Sequence, residues 1–180
     1  MSKKELTKII SAIQKLKKIK RKGWKIKLDM NNAESVAEHS YSTAILSMLI
    51  GDSLGLDTNR MIKMALIHDL AESTIGDYMP GENNNKKAEE NAAMKELLNT
   101  LPETLKKEYN KIWEEYQKNE TKESKTVHEI DKLEMGLQSI EYSKTLPDNK
   151  NAKYFYDRSI NFIKTEKIKK ILQEYNNNNS

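Results

Sequence analysis

The sequence predicts an all-α fold, and three observations support that prediction. The 180 residues include only six glycines and three prolines, so the chain has few of the residues that interrupt helices. Apolar residues recur at spacings of three and four, which is typical of helices that bury one face. A chain of this length is most simply one domain around one hydrophobic core.

The first two helices are predicted from an apolar stripe and a start signal. The stripe ends near Gly23, where we expect the helix to break; it consists of Leu6, Ile9, Ile10, Ile13, Leu16 and Ile19. The second helix is expected from Ser35 to about Leu54. Ser35 and Glu38 have the Ser-x-x-Glu spacing of a capping box directly before an apolar run.

The third helix is the most apolar one, and it runs into charged residues. Asp57 or Thr58 is expected to cap its start, and its end continues into "IHDLAESTIGD" (67–77). A charge brought into a core without a partner costs several kcal/mol or is neutralised. The histidine and the acids of this segment therefore need a partner of opposite charge.

The rest of the chain is predicted to be helical apart from one loop and the end. Gly, Pro and Asn are concentrated in "GDYMPGENNN", so we expect a loop at 76–85. Further helices are predicted at 86–99, 102–118, 123–143 and 154–175. We assign residues 1–175 to one domain and residues 176–180 ("NNNNS") to a disordered tail.

The composition excludes several classes of protein. No cysteine is present, which excludes disulfides and thiolate chemistry. No apolar stretch is long enough to span a bilayer, and the first residues lack a signal-peptide core, so we expect a cytoplasmic protein without a membrane partner. The net charge of +4 comes mainly from the segment 15–27 ("KLKKIKRKGWKIK"), which has eight cations and no acid. This segment is either a solvated face or a rim that faces phosphate.

Two histidines and two aspartates are expected to face the core from three different helices: His39, His68, Asp69 and Asp131. Each alone has an ordinary explanation, such as a hydrogen-bonded core histidine or an aspartate that caps a neighbouring helix. Together they offer two neutral nitrogens and two anionic oxygens, which suit Zn, Mn, Co, Fe or Ni and tolerate Mg. A divalent cation would offset the buried charge and keep coordination positions open for water and substrate.

The order of these residues resembles the signature of the HD-domain metal-dependent phosphohydrolases. Four blocks resemble the 5'-deoxynucleotidase branch more closely: "ESVAEHSY", "HDLAESTIGD", "EEY" near Trp113, and "EIDKLEMGLQSIEY". The resemblance runs from about residue 16 to residue 142. It implies a single-domain helical HD-domain bundle, a bound divalent cation, hydrolysis of 5'-deoxynucleoside monophosphates and assembly as a homodimer, with no stable nucleic-acid partner.

The resemblance also implies roles for individual residues. The four ligands of the cation are His39, His68, Asp69 and Asp131. Glu72 follows His68 by four residues, which on a continuous helix places both on one face, and it is the implied acid/base residue. Glu72 and Asp77 are candidates for a further ion. A solvated helix-end acid is the alternative for Glu72, and an ordinary turn residue is the alternative for Asp77.

The implied substrate contacts lie on both sides of the metal motif. Arg21 opens "RKGW", which matches the family's "RxGW" block, and its guanidinium fork suits a phosphate dianion. Arg21, Glu72 and Asp77 form the expected catalytic set. The expected substrate-binding set is Arg21, Trp24, Asp69, Asp77, Tyr78, Pro80 and Asp131. Trp24 either flanks the sugar or lies in a core seam. His128 precedes Asp131 by three residues, but the family has no histidine there, and we expect it at the surface.

Two other functions fit parts of the pattern. The same site could serve a hydrolase of cyclic dinucleotides, triphosphates or alarmones, although the extra histidines and "GYP" block of the cyclic-dinucleotide branch are missing. Alternatively, the basic segment 15–27 could make this a helical nucleic-acid-binding module. That alternative does not explain why four ligand-type residues face the core.

Overall fold

The computed structural model describes residues 3–146 and 150–179, and those residues form ten α-helices and no strand. The prediction of an all-α fold is confirmed. The helices are α1 (Lys3–Leu16), α2 (Lys22–Leu28), α3 (Val36–Leu54), α4 (Thr58–Ile67), α5 (Glu72–Ile75), α6 (Lys86–Leu98), α7 (Glu103–Lys118), α8 (Lys122–Thr145), α9 (Lys150–Phe162) and α10 (Glu166–Asn177). None of the helices in the described part of the chain is both long and apolar enough to cross a membrane.

Two predicted helix starts are confirmed by their hydrogen bonds. At α3 the Ser35 amide donates to the Glu38 carboxylate (2.6 Å), and the Glu38 amide donates to the Ser35 hydroxyl (3.2 Å). This is the reciprocal capping box that the spacing predicts. At α4 the carboxylate of Asp57 accepts the amide of Arg60 at 3.0 Å, so Asp57 is the cap.

The predicted break at Gly23 is wrong, because Gly23 lies inside α2. Helix α1 ends earlier, at Leu16. The backbone after it pairs with the segment before α3: the Arg21 amide donates to the Glu34 carbonyl (3.0 Å), and the Val36 amide donates to the Ile19 carbonyl (2.9 Å). This pairing occupies the segment between α1 and α2, so α2 begins directly after it.

The apolar stripe of α1 is only partly buried. Ala12 and Leu16 are in the core, whereas Ile10 is 49% exposed and Ile13 is 45% exposed. The helical periodicity is therefore correct, but the buried face of α1 is narrower than the stripe predicts.

The predicted single helix at 154–175 is two helices, α9 and α10. The carboxylate of Glu129 on α8 accepts the backbone amides of Lys164 (3.0 Å) and Thr165 (3.2 Å). These two residues directly precede α10, so a buried acid from another helix holds the start of α10. Helix α10 extends to Asn177, beyond the predicted boundary at 175, and Ser180 lies outside the described residues.

The described residues divide into two compact units. The first contains the residues up to Tyr41 and Leu66–Lys118; within it α5 packs against α1 and α6, and α6 packs against α7. The second contains Ser42–Ala65 and the residues from Asn119 onward; within it α8 packs along α9 and against α10.

Gly136 allows the close approach of helices in the second unit. A Cβ atom at Gly136 would lie 2.9 Å from side-chain atoms of Ser159 on α9 and Leu172 on α10. Any larger residue would push these helices away from α8.

Candidate metal centre and active site

Three ligand-type side chains converge in the first unit: His39, His68 and Asp69. The Nε2 atoms of His39 and His68 are 3.3 Å apart. Oδ2 of Asp69 lies 3.1 Å from Nε2 of His68 and 3.7 Å from Nε2 of His39. One donor atom of each residue therefore lies within 4.8 Å of the other two. Two imidazole nitrogens and a carboxylate oxygen at this spacing can ligate one divalent cation.

The local fold explains this convergence. His39 lies in the first turn of α3, just after the capping box, where its amide donates to the Ser35 carbonyl. Helix α4 ends at Ile67, so His68 and Asp69 lie in the turn between α4 and α5. The turn is closed by the Glu72 amide, which donates to the Asp69 carbonyl at 3.0 Å. The prediction that Glu72 shares a helix face with His68 is wrong, since His68 precedes α5 in this turn.

Asp69 is ionised in this cluster despite its burial. Burial disfavours the charged carboxylate, but the neighbouring His68, Arg21 and His39 outweigh it and hold the pKa of Asp69 well below its usual range. Nη1 of Arg21 donates to Oδ2 of Asp69 at 3.0 Å. The buried carboxylate of Asp69 is therefore balanced by the guanidinium of Arg21 and the imidazoles of His68 and His39.

Arg21 reaches the cluster because of the backbone pairing described above. The segment before α2 is held against Glu34, and this places the guanidinium on Asp69. Arg21, one of the eight cations of the basic segment 15–27, contacts the predicted metal ligand Asp69. The structure therefore places Arg21 beside Asp69, and its role toward phosphate stays a prediction.

Glu72 is a buried acid with one unsatisfied oxygen. It is the first residue of α5 and is 1% exposed. Oε1 accepts from Nζ of Lys86 at 3.2 Å, whereas Oε2 has no hydrogen-bond partner among the described residues. Burial, together with the nearby charges of Asp69 and Asp77, raises the pKa of Glu72 to about 9, against the opposing charges of Arg21 and Lys86. The carboxyl therefore carries a proton at neutral pH when no cation is bound.

The loop after α5 is joined to the start of α2. Gly76 ends α5 with a φ of +83°, a conformation that favours glycine, and the chain then turns toward α2. Oδ2 of Asp77 accepts the backbone amide of Lys22 at 2.6 Å. The ammonium of Lys22 pairs with Glu82 and lies 5.6 Å from the ring centre of Tyr78. Pro80 is exposed at the tip of the loop.

The remaining predicted site residues lie in other environments. Trp24 is 2% exposed, and its Nε1–H donates to Oε1 of Glu34 at 2.7 Å, which is the position of a core tryptophan; the sugar contact stays a prediction. Asp131 is buried on α8 in the second unit, and its carboxylate accepts from Nζ of Lys132 at 2.7 Å. His128 is half-buried on the same helix rather than fully at the surface.

Sequence reasoning assigned no role to three residues near the cluster. Lys86 binds Glu72, and Glu90 lies 3.4 Å from Nζ of Lys86. The ring of Tyr116 on α7 packs edge-on against His68, with 5.9 Å between ring centres. Tyr116 was visible in the "EEY" block, but in the sequence nothing distinguishes Lys86 from its neighbour Lys87.

Comparisons with known proteins agree with the geometry. A family model described as HD domain matches residues 13–176 of this chain. The chain is 36% identical over 168 residues to a Xenopus laevis protein named 5'-deoxynucleotidase HDDC2, covering 92% of this chain and 83% of that protein. It is 34% identical over 171 residues to 5'-deoxynucleotidase YGK1 of Saccharomyces cerevisiae, covering 91% and 78% of the two chains.

The fold is also found among solved structures. A protein from Pyrococcus horikoshii superposes with a TM-score of 0.79 at 30% identity, covering 94% of this chain and 97% of that one. The family match spans the histidines, the aspartates and the helices that hold them. The chain therefore belongs to the HD domain family.

Proposed function

We propose that this protein is a metal-dependent phosphomonoesterase that hydrolyses 5'-deoxynucleoside monophosphates to a deoxynucleoside and phosphate. The observation that carries the proposal is the convergence of His39, His68 and Asp69 beside Arg21 and the buried carboxyl of Glu72. The names of the relatives, both 5'-deoxynucleotidases, support the choice of substrate.

The donor set fits a divalent cation. His39, His68 and Asp69 would hold it, and the resemblance adds Asp131 as the fourth ligand, which stays a prediction. Such an ion supplies Lewis-acid chemistry: it lowers the pKa of water and neutralises charge on phosphate oxygens. Nitrogen and oxygen donors together can bind Mn, Co, Zn, Ni, Fe or Mg, so this donor set defines a class of divalent ion and not one metal.

Arg21 would orient the phosphate. Its planar guanidinium has parallel N–H donors that match two oxygens of one phosphate group. Nη1 of Arg21 donates to Oδ2 of Asp69, so the guanidinium already lies beside a proposed metal ligand. Binding of phosphate would replace one oxygen acceptor with another at the same place.

Glu72 would move the proton. The attacking water forms the new P–O bond while the bond between phosphorus and the 5'-oxygen breaks, and the leaving oxygen needs a proton to depart as a hydroxyl. Without a bound cation, burial and the neighbouring acids raise the pKa of Glu72 to about 9, so this carboxyl is a group that can hold that proton. The carboxylate left behind can accept the proton that the attacking water loses, so the products are the deoxynucleoside and hydrogen phosphate and Glu72 ends the cycle protonated as it began.

The loop of Asp77, Tyr78 and Pro80 would border the nucleotide. Asp77 accepts the amide of Lys22, and Lys22 lies 5.6 Å from the ring centre of Tyr78. Because Lys22 directly follows Arg21, these contacts hold the loop near Arg21. Four further points stay predictions from the sequence. Asp77 is expected to act in catalysis or to bind a further ion together with Glu72, and Trp24 to contact the sugar. The protein is expected to form a homodimer and to lie in the cytoplasm.

The test is phosphate release from a panel of nucleotides after chelation and after return of single metals. The panel contains 5'-deoxynucleoside and 5'-ribonucleoside monophosphates, a 3'-monophosphate, a deoxynucleoside triphosphate and a cyclic dinucleotide. We expect release from the 5'-deoxynucleoside monophosphates, loss on chelation and recovery with at least one divalent cation.

Other outcomes would contradict the proposal. Hydrolysis of the triphosphate or the cyclic dinucleotide alone would support the other HD-superfamily activities. Salt-sensitive binding of oligonucleotides without any hydrolysis would support the nucleic-acid module.

A further inference from the structure

Glu72 is held from one side by a lysine of α6. Nζ of Lys86, the first residue of α6, lies 3.2 Å from Oε1 of Glu72. The hydrogen bond is charge-assisted, and such bonds are stronger and more directional than neutral ones. Helix α6 packs against α5 in the same unit, so a residue of one helix fixes the acid of the other.

Glu90 holds the lysine in turn. Its Oε1 lies 3.4 Å from Nζ of Lys86, one turn further along α6. The side chains of Lys86 and Glu90 are both largely shielded from solvent, at 33% and 17% exposed. An ammonium has three donors, so Lys86 can serve both carboxyls at once. The result is a chain of contacts, Glu72–Lys86–Glu90, whose far end is anchored on a helix of 13 residues.

This chain engages only one oxygen of the Glu72 carboxyl. Oε2 is buried and has no partner among the described residues. A buried polar atom without a partner costs free energy, and a catalytic role is one of the explanations for such an atom. Lys86 thus fixes the carboxyl through Oε1 and leaves Oε2 available.

We propose that Lys86, braced by Glu90, is a positioning residue that orients the Glu72 carboxyl for proton transfer through Oε2. This inference rests on the proposed function, because it assigns a task within that reaction. Lys86 acts through Glu72 and need not touch the substrate. Its removal should slow turnover without weakening binding of substrate or cation.

The experiment measures kcat, KM and metal content on a 5'-deoxynucleoside monophosphate with saturating cation. Lys86→Met should lower kcat roughly 10- to 100-fold, the range for a misplaced catalytic group, while KM and metal content stay near wild type. Lys86→Arg should recover most of the loss, because it keeps a cationic donor. Glu90→Gln should cause a smaller loss. Lys87→Met is the matched control on an exposed neighbour and should behave as wild type.

A double variant tests whether Lys86 works through Glu72. In a Glu72→Gln background, Lys86→Met should lower kcat no further, since the group it positions is gone. A full additional loss would assign Lys86 a separate role and overturn the inference. So would an unchanged kcat with a raised KM, which would mean that the ammonium binds substrate phosphate.

The outcomes separate this inference from the proposed function. Wild-type protein that releases no phosphate from any nucleotide contradicts both. Active wild type with equally active Lys86→Met contradicts the inference alone. If Lys86→Met does not fold, Lys86→Arg and Glu90→Gln provide the test. The inference is overturned if Lys86→Arg is as slow as Glu72→Gln, or if Glu90→Gln has the kcat of the wild type.

Discussion

Two buried glutamates, one in each unit, show how the same side chain serves different ends. Glu129 is 8% exposed, and both of its oxygens accept backbone amides at the start of α10. Glu72 is 1% exposed, but only one of its oxygens has a partner among the described residues.

The difference follows from what surrounds each carboxylate. The amides of Lys164 and Thr165 join the Glu129 carboxylate of α8 to the start of α10, so this acid stabilises the fold. Burial and the nearby charges of Asp69 and Asp77 raise the pKa of Glu72 and so favour its protonated form. A satisfied buried acid indicates a structural role, and an unsatisfied one with a perturbed pKa indicates a functional role.

The largest effect is expected at the proposed metal ligands beside Glu72. His68→Ala and Asp69→Ala should each reduce phosphate release by roughly a thousandfold or more, because a cation contributes several kcal/mol to the transition state. Helicity, measured by circular dichroism, should be largely kept, and metal content should fall. Wild-type activity of either variant at limiting metal would show that the substituted residue does not hold a catalytic cation.

A smaller loss is expected for Arg21→Lys. An ammonium keeps the charge but cannot present two parallel donors to one phosphate, so we expect a roughly 10- to 100-fold loss of kcat/KM. Arg21→Ala should be only slightly worse. Lys25→Ala, an exposed cation of the same basic segment, is the control and should change little beyond the salt dependence of the rate. A fully active Arg21→Lys enzyme would assign Arg21 to the electrostatic surface instead.

Glu129 is expected to affect the stability of the fold. Glu129→Gln should lower the free energy of unfolding by about 1–3 kcal/mol, since a buried charge-assisted cap is replaced by a neutral amide. Chemical denaturation measures this change, and Glu174→Gln, an exposed acid on α10, is the control. Stability equal to that of the control would show that the amides of Lys164 and Thr165 do not need the carboxylate.

His128→Ala should have the smallest effect. His128 is half-buried on α8 and has the spacing of a ligand to Asp131, but the family pattern has no histidine there. Metal content and turnover should both match the wild type. A large defect in either would mean that spacing within the helix outranks the family pattern in choosing ligands.

The sequence predicted the parts of the fold that local interactions determine. The capping box of Ser35 and Glu38 and the cap at Asp57 lie within a few residues of the helices they start, so the sequence shows both partners together. The split between α9 and α10 depends on Glu129, which is 36 residues from Thr165. No local pattern reveals a cap that comes from another helix.

The candidate site was predicted to a similar extent and for a similar reason. His68 and Asp69 are adjacent in the chain, and His39 lies in a recognisable block, so the motif identified the cluster. Lys86 was missed because its partner Glu72 lies across a loop whose path the sequence does not determine. A charged residue at the start of a helix is usually solvated, and only the structure shows that this one binds a buried acid.

The most direct measurement compares kcat of Glu72→Gln and Glu129→Gln on one 5'-deoxynucleoside monophosphate at equal metal content. Both changes remove one ionisable group and keep the shape of a buried side chain. We expect Glu72→Gln to retain the cation and lose turnover by roughly two to four orders of magnitude, the contribution of a general acid/base, and Glu129→Gln to turn over as the wild type does. Wild-type turnover in Glu72→Gln would contradict the assignment of proton transfer to this residue, and with it the distinction between the two acids.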